Sequence, residues 1–564
     1  MQSWLYKFIP ALSWMSNYKK ENLKGDLTAG LTVGVMLVPQ GMAYAMLAGL
    51  PPIIGLYASV VPVLIYALLG TSNQLAVGPV AIVSLMTAAG VGTLANGSVE
   101  AYIVYAVLLS LMVGGMQLFM GLGRFGFLVN FLSHPVISGF TSAAALIIGL
   151  SQLKHLLGVD ISRSHHIHEI LYNAWLQISD VHLATLIIGI ASIVTLLFVK
   201  KIKPMFPGAL LVVVLSTLAV WAMGLDQSGV KIVGDVPAGL SSFSFPTWNL
   251  EAMSALLPTA LAISMVGFME SISVAKAFAR RNRYDVNPNQ ELIALGAANI
   301  ASSFFKGYPV TGGFSRTAVN DQAGANTPLA SIITAILIAI VLLFLTPLFY
   351  YLPKAVLAAI IMTAVFGLVD IKEIKHLNQV KRSDLTMLLI TFFATLTLGI
   401  EMGILTGVAV SLLWFVVKTT RPHVAVLGQI PGTDTFKNID RVPDLKVEDD
   451  VLVLRVDAQF YFGNASFLKD LVKSHVTNAK TKLKAIVIEA ASINQLDASA
   501  DAVLHELHEE LAAANIKLYF ANVKGPVMDV MQRSGFDKKL GIDHFFLDLM
   551  DAVNNAKNRQ LAAV

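Results

Sequence analysis

Residues 308–320 read YPVTGGFSRTAVN. They lie among long apolar runs, yet carry Pro309, Gly312, Gly313, Ser315 and Arg316. Proline lacks a backbone donor, and paired glycines weaken helix on either side. The stretch reads as an extended piece followed by a helix that starts near Phe314 or Ser315. Within a bilayer, non-helical backbone survives only where protein buries it or a cavity hydrates it. A helix starting there aims unpaired N–H groups and the positive end of its dipole into that cavity. Arg316 adds a full charge. The expectation is an anion site, with the rest of the chain as its housing.

The composition agrees with a membrane setting. Of 564 residues, 55% are hydrophobic and 13% charged, about half the charged share of a soluble protein. Mean hydropathy is +0.68. The apolar residues fall in runs of about 20, the length a helix needs to cross a bilayer. A net charge of +4 does not point to nucleic acid, because the Lys and Arg residues flank apolar runs. The absence of cysteine excludes disulfides, thiolate metal sites and thiol nucleophiles. The N-terminus shows no clear cleavage site. Trp4, Leu5, Phe8, Ile9, Leu12 and Trp14 suggest a short helix lying at the membrane interface.

About fourteen crossings are expected. They fall at 27–46 (broken at Pro39-Gln40-Gly41), 52–69, 81–94, 101–122, 127–152, 183–199, 207–223 and 252–279. Further runs fall at 291–305, just after Ser315, and at 328–350, 353–369, 385–400 and 401–417. With the N-terminus inside, the inner loops receive Lys200, Lys201, Lys203, Arg280, Arg281, Arg283, Lys372, Lys375, Lys381 and Arg382. The outer loops receive scattered charges such as Lys154, Arg163, Lys231 and Lys354. This follows the positive-inside rule, and an even number of crossings returns the C-terminus to the cytoplasm.

An internal symmetry accompanies these runs. Ala76-Val-Gly-Pro-Val80 precedes a helix start in the third segment of the first half, as residues 310–314 do in the second. Groups of seven crossings enter the membrane in opposite senses. Interrupted segments at matching places in inverted halves point to a transporter's midplane site.

After Arg421 the composition changes. Short β-branched runs at 451–456, 484–488 and 517–521 alternate with helical patterns at 464–473, 499–514 and 526–535. This predicts a small α/β domain. Residues 422–447 hold a linker with room for a first strand.

Four stretches carry a resemblance: VPQGMAYAMLAGLPPIIGLYAS (38–59), LLGTSNQLAVGPVAIVSLM (68–86), ESISVAKAFA (270–279) and GGFSRTAVN (312–320). From about residue 22 to 549 the chain resembles the sulfate permease (SulP) family, and its tail resembles the STAS domain. The resemblance implies a seven-plus-seven inverted repeat like that of the uracil permeases. It implies a core of segments 1–4 and 8–11 that slides, elevator fashion, against a gate of segments 5–7 and 12–14. It also implies a homodimer.

The same resemblance distributes roles. Ser315 and Arg316 match the family's anion-site pair, at the helix start with Gly313 and Phe314. Gly78, Pro79 and Val80 supply the facing helix start, for which a packing kink is the plainer reading. Gln40 and Tyr44 are four apart and share a helix face; in the family those positions face the anion. Glu270 lies mid-run, where an ionisable group is functional by default. Its match in several relatives couples transport to a cation, and a permanent brace to Arg316 is the competing reading. One turn on, where a family bicarbonate transporter offers a hydroxyl near its sodium, this chain has Val274. Hard cations want oxygen ligands, so a proton is favoured over sodium.

Other polar residues carry quieter expectations. Glu401 reads as a helix cap between the last two crossings. His165, His166 and His168 read as a solvated loop rather than a metal site. Ser499 reads as an N-cap, although it matches a phosphorylated serine of anti-sigma antagonists and is the regulatory candidate.

The expectation is an α-helical integral membrane protein, not an enzyme, without cofactor or metal. Its parts are an N-terminal segment (1–24), a transmembrane domain (25–420), a linker (421–447) and a cytoplasmic STAS domain (448–564). It would reside in the cell membrane, inner or plasma, with both termini cytoplasmic. Its expected function is proton-coupled sulfate uptake. Bicarbonate or dicarboxylate symport and anion exchange are alternatives, and a passive anion channel or a membrane-tethered regulator are more distant ones. Expected partners are a small inorganic anion, a proton, the lipid bilayer, a second copy of the chain and a cytoplasmic regulator on the STAS domain, but no nucleic acid.

Overall fold

The apolar runs form helices, and two of the three expected interruptions are extended backbone. The structure, a computed structural model, describes residues 9–95, 97–127, 133–160, 167–202 and 206–557, without the side chains of Ile400 and Glu401. Trp4, Leu5, Phe8, Arg163, His165, His166, Lys203 and the Glu401 side chain lie outside the described residues. The chain divides into two units, Met1–Ser411 and Leu412–Val564.

The first half of the membrane unit opens with α1 (Ala11–Ser16), α2 (Asn22–Leu47), α3 (Pro52–Tyr57) and α4 (Val61–Leu69). β1 (Val77–Gly78) leads into α5 (Ala81–Gly92), followed by α6 (Val99–Leu122), α7 (His134–Ser151), α8 (Leu153–Leu157) and α9 (Ile167–Leu176). α10 (Leu183–Ile202) and α11 (Gly208–Met223) complete it. The second half holds α12 (Leu250–Asn282), α13 (Pro288–Phe304), β2 (Thr311–Gly312), α14 (Phe314–Gln322) and α15 (Leu329–Ile340). α16 (Lys354–Val365), α17 (Ile371–Val380), α18 (Arg382–Leu398) and α19 (Ile400–Thr420) follow.

Among the described residues, nine helices are long and apolar enough to cross a bilayer, with two shorter apolar ones. A helix stands at each of the fourteen expected places. Two are half-length, α5 with 12 residues and α14 with 9, because a chain break precedes each. Pro39-Gln40-Gly41 does not break the first crossing: α2 runs through Pro39. A proline forfeits one N–H bond, and packing holds the turns around it. Here Gly41 and Gly55 touch backbone to backbone; a Cβ on Gly55 would fall 1.9 Å from Gly41 O. Residues 371–380, read as loop, form α17, capped by Asp370 accepting from Glu373 N (3.0 Å).

Glycines set the tightest helix pairs, as small residues do in membranes. α13 lies along α6, where a Cβ on Gly114 would meet Ile300 N at 2.6 Å and one on Gly296 would meet Leu118 N at 2.5 Å. α2 lies along α15 through Gly30 and Gly34. α7 lies along α18 through Gly139, and α10 along α16. Exchanging the halves turns the α2–α15 pair into α12–α6, α2–α14 into α12–α5, and α7–α18 into α16–α10, all of which pack together. A seven-plus-seven repeat requires this.

The second unit is a six-stranded sheet in the order β4-β3-β5-β6-β7-β8. The strands are β3 (Val424–Gln429), β4 (Phe436–Asn438), β5 (Val451–Val456), β6 (Ala485–Glu489), β7 (Lys517–Ala521) and β8 (Phe545–Phe546). Thus 422–447 holds two strands. β5 to β8 are parallel, joined by α20 (Ala465–Asn478), α21 (Ala498–Ala513), and α22 (Gly525–Ser534) with α23 (Phe536–Leu540). Leu454, Ile486, Ile488 and Phe520 pack with Leu468, Leu504 and Met531 on one face. Val453, Val487 and Tyr519 meet α24 (Leu549–Ala556) on the other. The N-cap of α21 is Asp497, accepting from Ala500 N (2.8 Å), with Ser499 exposed inside the first turn. A carboxylate there meets the N–H groups and the dipole with a full charge, so it takes the cap expected of Ser499.

Candidate anion site

The two chain breaks lie side by side. β1 and β2 pair antiparallel, Val77 with Gly312 and Gly78 with Thr311. Gly313 N donates to Ala76 O (3.1 Å). Thr317 Oγ1 accepts from Ala76 N (3.0 Å) and donates to Gly313 O (2.8 Å). Asn320 Nδ2 donates to Gln74 O (2.9 Å). Residues far apart in sequence thereby form one block, from which α5 and α14 start.

Side chains of α12 satisfy the outer edge of β2. Thr311 Oγ1 donates to Gly267 O (2.6 Å) and lies 2.6 Å from Ser271 Oγ. Since the threonine proton goes to Gly267, Ser271 donates to Thr311 and accepts from Gly312 N (2.8 Å). This accounts for backbone groups that lipid could not satisfy.

Arg316 is only 2% exposed. Its Nη1 donates to Pro79 O (2.7 Å), while Nε and Nη2 have no hydrogen-bond partner. The site is a cavity of about 420 Å³ whose wall includes Gln40, Tyr44, Val80, Glu270, Gly313, Phe314, Ser315 and Arg316. Gly78 and Pro79 stand behind this wall. Pro79 acts through its carbonyl. Gly78, at φ +153°, would bring a Cβ to 3.5 Å from Arg316 Nη2. Pro79 therefore braces the guanidinium, and neither residue is in the cavity lining. Phe314 is exposed and packs near Phe278, ring centroids 6.1 Å apart.

Two acceptors also face this region without a partner, Gln40 Oε1 and Glu270 Oε2. Among the described residues, no ion pair joins Glu270 to Arg316, so the expected alternative of a fixed brace is not the arrangement seen. Val274, one turn beyond, is buried. The cavity also holds Lys200, Met36, Phe206, Gln322 and Thr363, which sequence reasoning did not assign to it. Lys200 reads as a topology signal, and only folding brings the end of α10 to this wall.

Among the described residues of the membrane unit, two buried carboxylates lie outside the cavity. Glu291 accepts from Tyr66 OH (2.7 Å), Thr71 N and Thr71 Oγ1 (both 2.6 Å). Asp26 accepts from Asn326 N (2.7 Å), Thr327 N (3.0 Å) and Thr327 Oγ1 (2.6 Å). Both are fully buried and fasten the loops before β1 and after α14. Among the described residues, no group of three His, Asp or Glu side chains could hold a metal ion.

A helix start, a hydroxyl and a guanidinium with two unpartnered nitrogens suit an oxyanion. The helix end contributes about 0.3–2 kcal/mol, and the charge-assisted hydrogen bonds add to it.

Residues 23–391 match the sulfate permease family and residues 442–552 the STAS domain. "Sulfate transporter 4.1, chloroplastic" of Arabidopsis thaliana is 41% identical, over 98% of this chain and 82% of its own. A Mycobacterium tuberculosis protein named as a probable sulfate transporter is 36% identical over 98% of both chains. The murine Solute Carrier 26 member A9 anion transporter, solved in the inward-facing state, superimposes with a TM-score of 0.91 at 25% identity. That match covers 99% of this chain and 95% of the other. The chain belongs to the sulfate permease family: it is a multi-pass membrane transporter, not an enzyme, with a STAS domain as its second unit.

Proposed function

We propose that this protein takes up an inorganic oxyanion, sulfate in the first instance, together with protons. The observation that carries the reading is Arg316: a buried guanidinium, tied by Nη1 to Pro79 O, with Nε and Nη2 unpartnered beside a cavity. Ser315 and the first N–H groups of α14 complete the binding donors. Gln40 and Tyr44 bound the anion from α2. Glu270 accepts and releases the coupling proton. A proton asks for one carboxylate, whereas sodium asks for several oxygens, and Val274 offers none.

The way the helices lock supports an elevator-type movement. Core segments 1–4 and 8–11 (α2 to α6 and α12 to α15) interlock through glycines, as do the helices of the gate. Among the described residues, helix pairs in which a glycine Cβ would come within 3.0 Å of the neighbour include α2–α15, α6–α13, α5–α12, α7–α18 and α8–α10, each within one group. Among the described residues, the larger contacts between groups, α2 with α16 and α11 and α5 with α7, have no such interlock. A smooth face between two keyed blocks favours sliding of one past the other. We place the protein in the cell membrane as a homodimer, with both termini cytoplasmic and the STAS domain open to a cytoplasmic regulator.

The test is radiolabelled uptake into proteoliposomes. Sulfate, bicarbonate and fumarate compete under imposed proton or sodium gradients. Saturable sulfate uptake driven by an inward proton gradient, and lost in Glu270→Gln, is the expected result. Uptake driven by sodium alone overturns the coupling. Preference for bicarbonate or fumarate overturns the substrate.

A further inference from the structure

The shape of the Arg316 turn depends on where β2 sits, and β2 has a strand on one edge only. β1 pairs with Thr311 and Gly312. Val310, one residue earlier, must find partners for its own N–H and C=O inside the membrane unit. Asn299 of α13 supplies both. Val310 N donates to Asn299 Oδ1 (2.7 Å), and Asn299 Nδ2 donates to Val310 O (3.1 Å). A side-chain amide carries a donor and an acceptor in one plane, as a peptide group does. Asn299 thus stands where another strand would.

The amide is itself held in orientation. Asn299 Nδ2 also donates to Gln117 Oε1 (2.9 Å), and Gln117 Nε2 donates to Ser264 O (3.3 Å). Both side chains are fully buried, Asn299 at 0% and Gln117 at 1% exposed. α12, α6 and α13 are therefore joined to the extended segment by one chain of amides. Three residues further on, a Cβ on Gly313 would lie 3.0 Å from Arg316 Nη2 and 3.1 Å from its Cζ. The turn and the guanidinium are in contact, so a displacement of the segment is passed to the guanidinium.

We infer that Asn299 is a positioning residue for anion binding: by clamping Val310 it sets the place of the Gly313–Arg316 turn against the cavity. This rests on the reading that Arg316 takes the anion. Asn299 is not in the cavity lining and acts through the backbone.

The experiment uses the purified full-length chain. Calorimetry measures sulfate and nitrate binding, and thermal unfolding is followed without anion. Asn299→Asp keeps the acceptor for Val310 N but turns the donor into a second acceptor facing Val310 O and Gln117 Oε1. The expected result is sulfate binding about tenfold weaker or more, with a smaller preference for tetrahedral sulfate over planar nitrate. Ser110→Ala removes the bond from Ser110 Oγ of α6 to Asn299 O (2.9 Å) but leaves both Asn299–Val310 side-chain bonds and the Gln117 bond in place, and its sulfate affinity stays within about threefold of wild type. If Asn299→Asp does not fold, Ser302→Ala is the milder variant on the same segment. It removes the bond from Ser302 Oγ to Tyr308 O (2.9 Å), and the same loss of preference is expected. Unchanged affinity and preference in the variant that folds overturn the inference, as does an equal loss in Ser110→Ala. A wild-type chain without saturable sulfate binding overturns the functional reading beneath it instead.

Discussion

The break before α5 and the break before α14 share a geometry. Each is a two-residue strand leading into a half-length helix, and the strands pair with each other. Their chemistry differs. α5 reads AIVSLMTAAGVG, without a charge, and its first seven residues are buried. α14 reads FSRTAVNDQ, with a buried Arg316 and an exposed Ser315. The first break offers a carbonyl, Pro79 O, and the second offers donors. Repetition of the fold builds the frame, and departure from repetition supplies the charge. A frame with an arginine in both halves would crowd two buried cations into one region, at heavy desolvation cost.

Substitutions at four positions can break or sharpen that comparison. The largest effect is expected from Arg316→Ala, which should cut saturable sulfate uptake about a hundredfold or more. Arg316→Lys should recover only part, because one ammonium cannot both hold Pro79 O and present the remaining pair of nitrogens. Full activity in Arg316→Ala would remove the assigned difference between the breaks.

Next comes Gly313→Ala. At φ −105° alanine is tolerated, but its Cβ presses on the guanidinium. Half-saturation for sulfate should rise about tenfold, with the thermal midpoint nearly unchanged. Gly78→Ala should do the reverse. Its φ of +153° costs a side chain about 1–3 kcal/mol, yet its Cβ would make only ordinary contacts, the nearest at 3.5 Å. The thermal midpoint should fall while half-saturation holds within a few-fold. If affinity suffers at Gly78 and stability at Gly313, the division of roles between the breaks is inverted.

The smallest effect is expected at the joint between them. Thr317→Val keeps shape but leaves Ala76 N without its partner. A loss of about 1 kcal/mol in unfolding stability is expected, read as a modest fall in thermal midpoint with uptake retained.

Much of this architecture was legible in the sequence because bilayer and backbone impose period and length. Apolar runs, charged flanks and Pro-Gly punctuation marked the helices, and YPVTGGFSRTAVN marked its own break. The residues that fasten the breaks were not legible. Asn299, Ser271 and Gln117 are uncharged polar residues on long membrane helices and Thr317 lies in the polar α14, and sequence gives no sign of which peptide group each satisfies. Pro39 misled because a proline's local penalty is visible in sequence, whereas the Gly41–Gly55 contact that outweighs it is not. Ser499 lost its cap to Asp497 two residues earlier, a competition decided by geometry. Gly78, Pro79 and Val80 read alike in sequence as one helix start, whereas in the fold Val80 stands in the cavity wall and Pro79 meets Arg316 through its carbonyl.

The single bond from Arg316 Nη1 to Pro79 O has a consequence for cohesion. One arm of the guanidinium already grips the other half of the fold, while two nitrogens remain for a solute. A solute that took them would close a ring through both halves, as a keystone closes an arch. The cargo would then serve as a removable structural member, and a saturated protein should resist heat and proteases better than an unladen one by ordinary mass action.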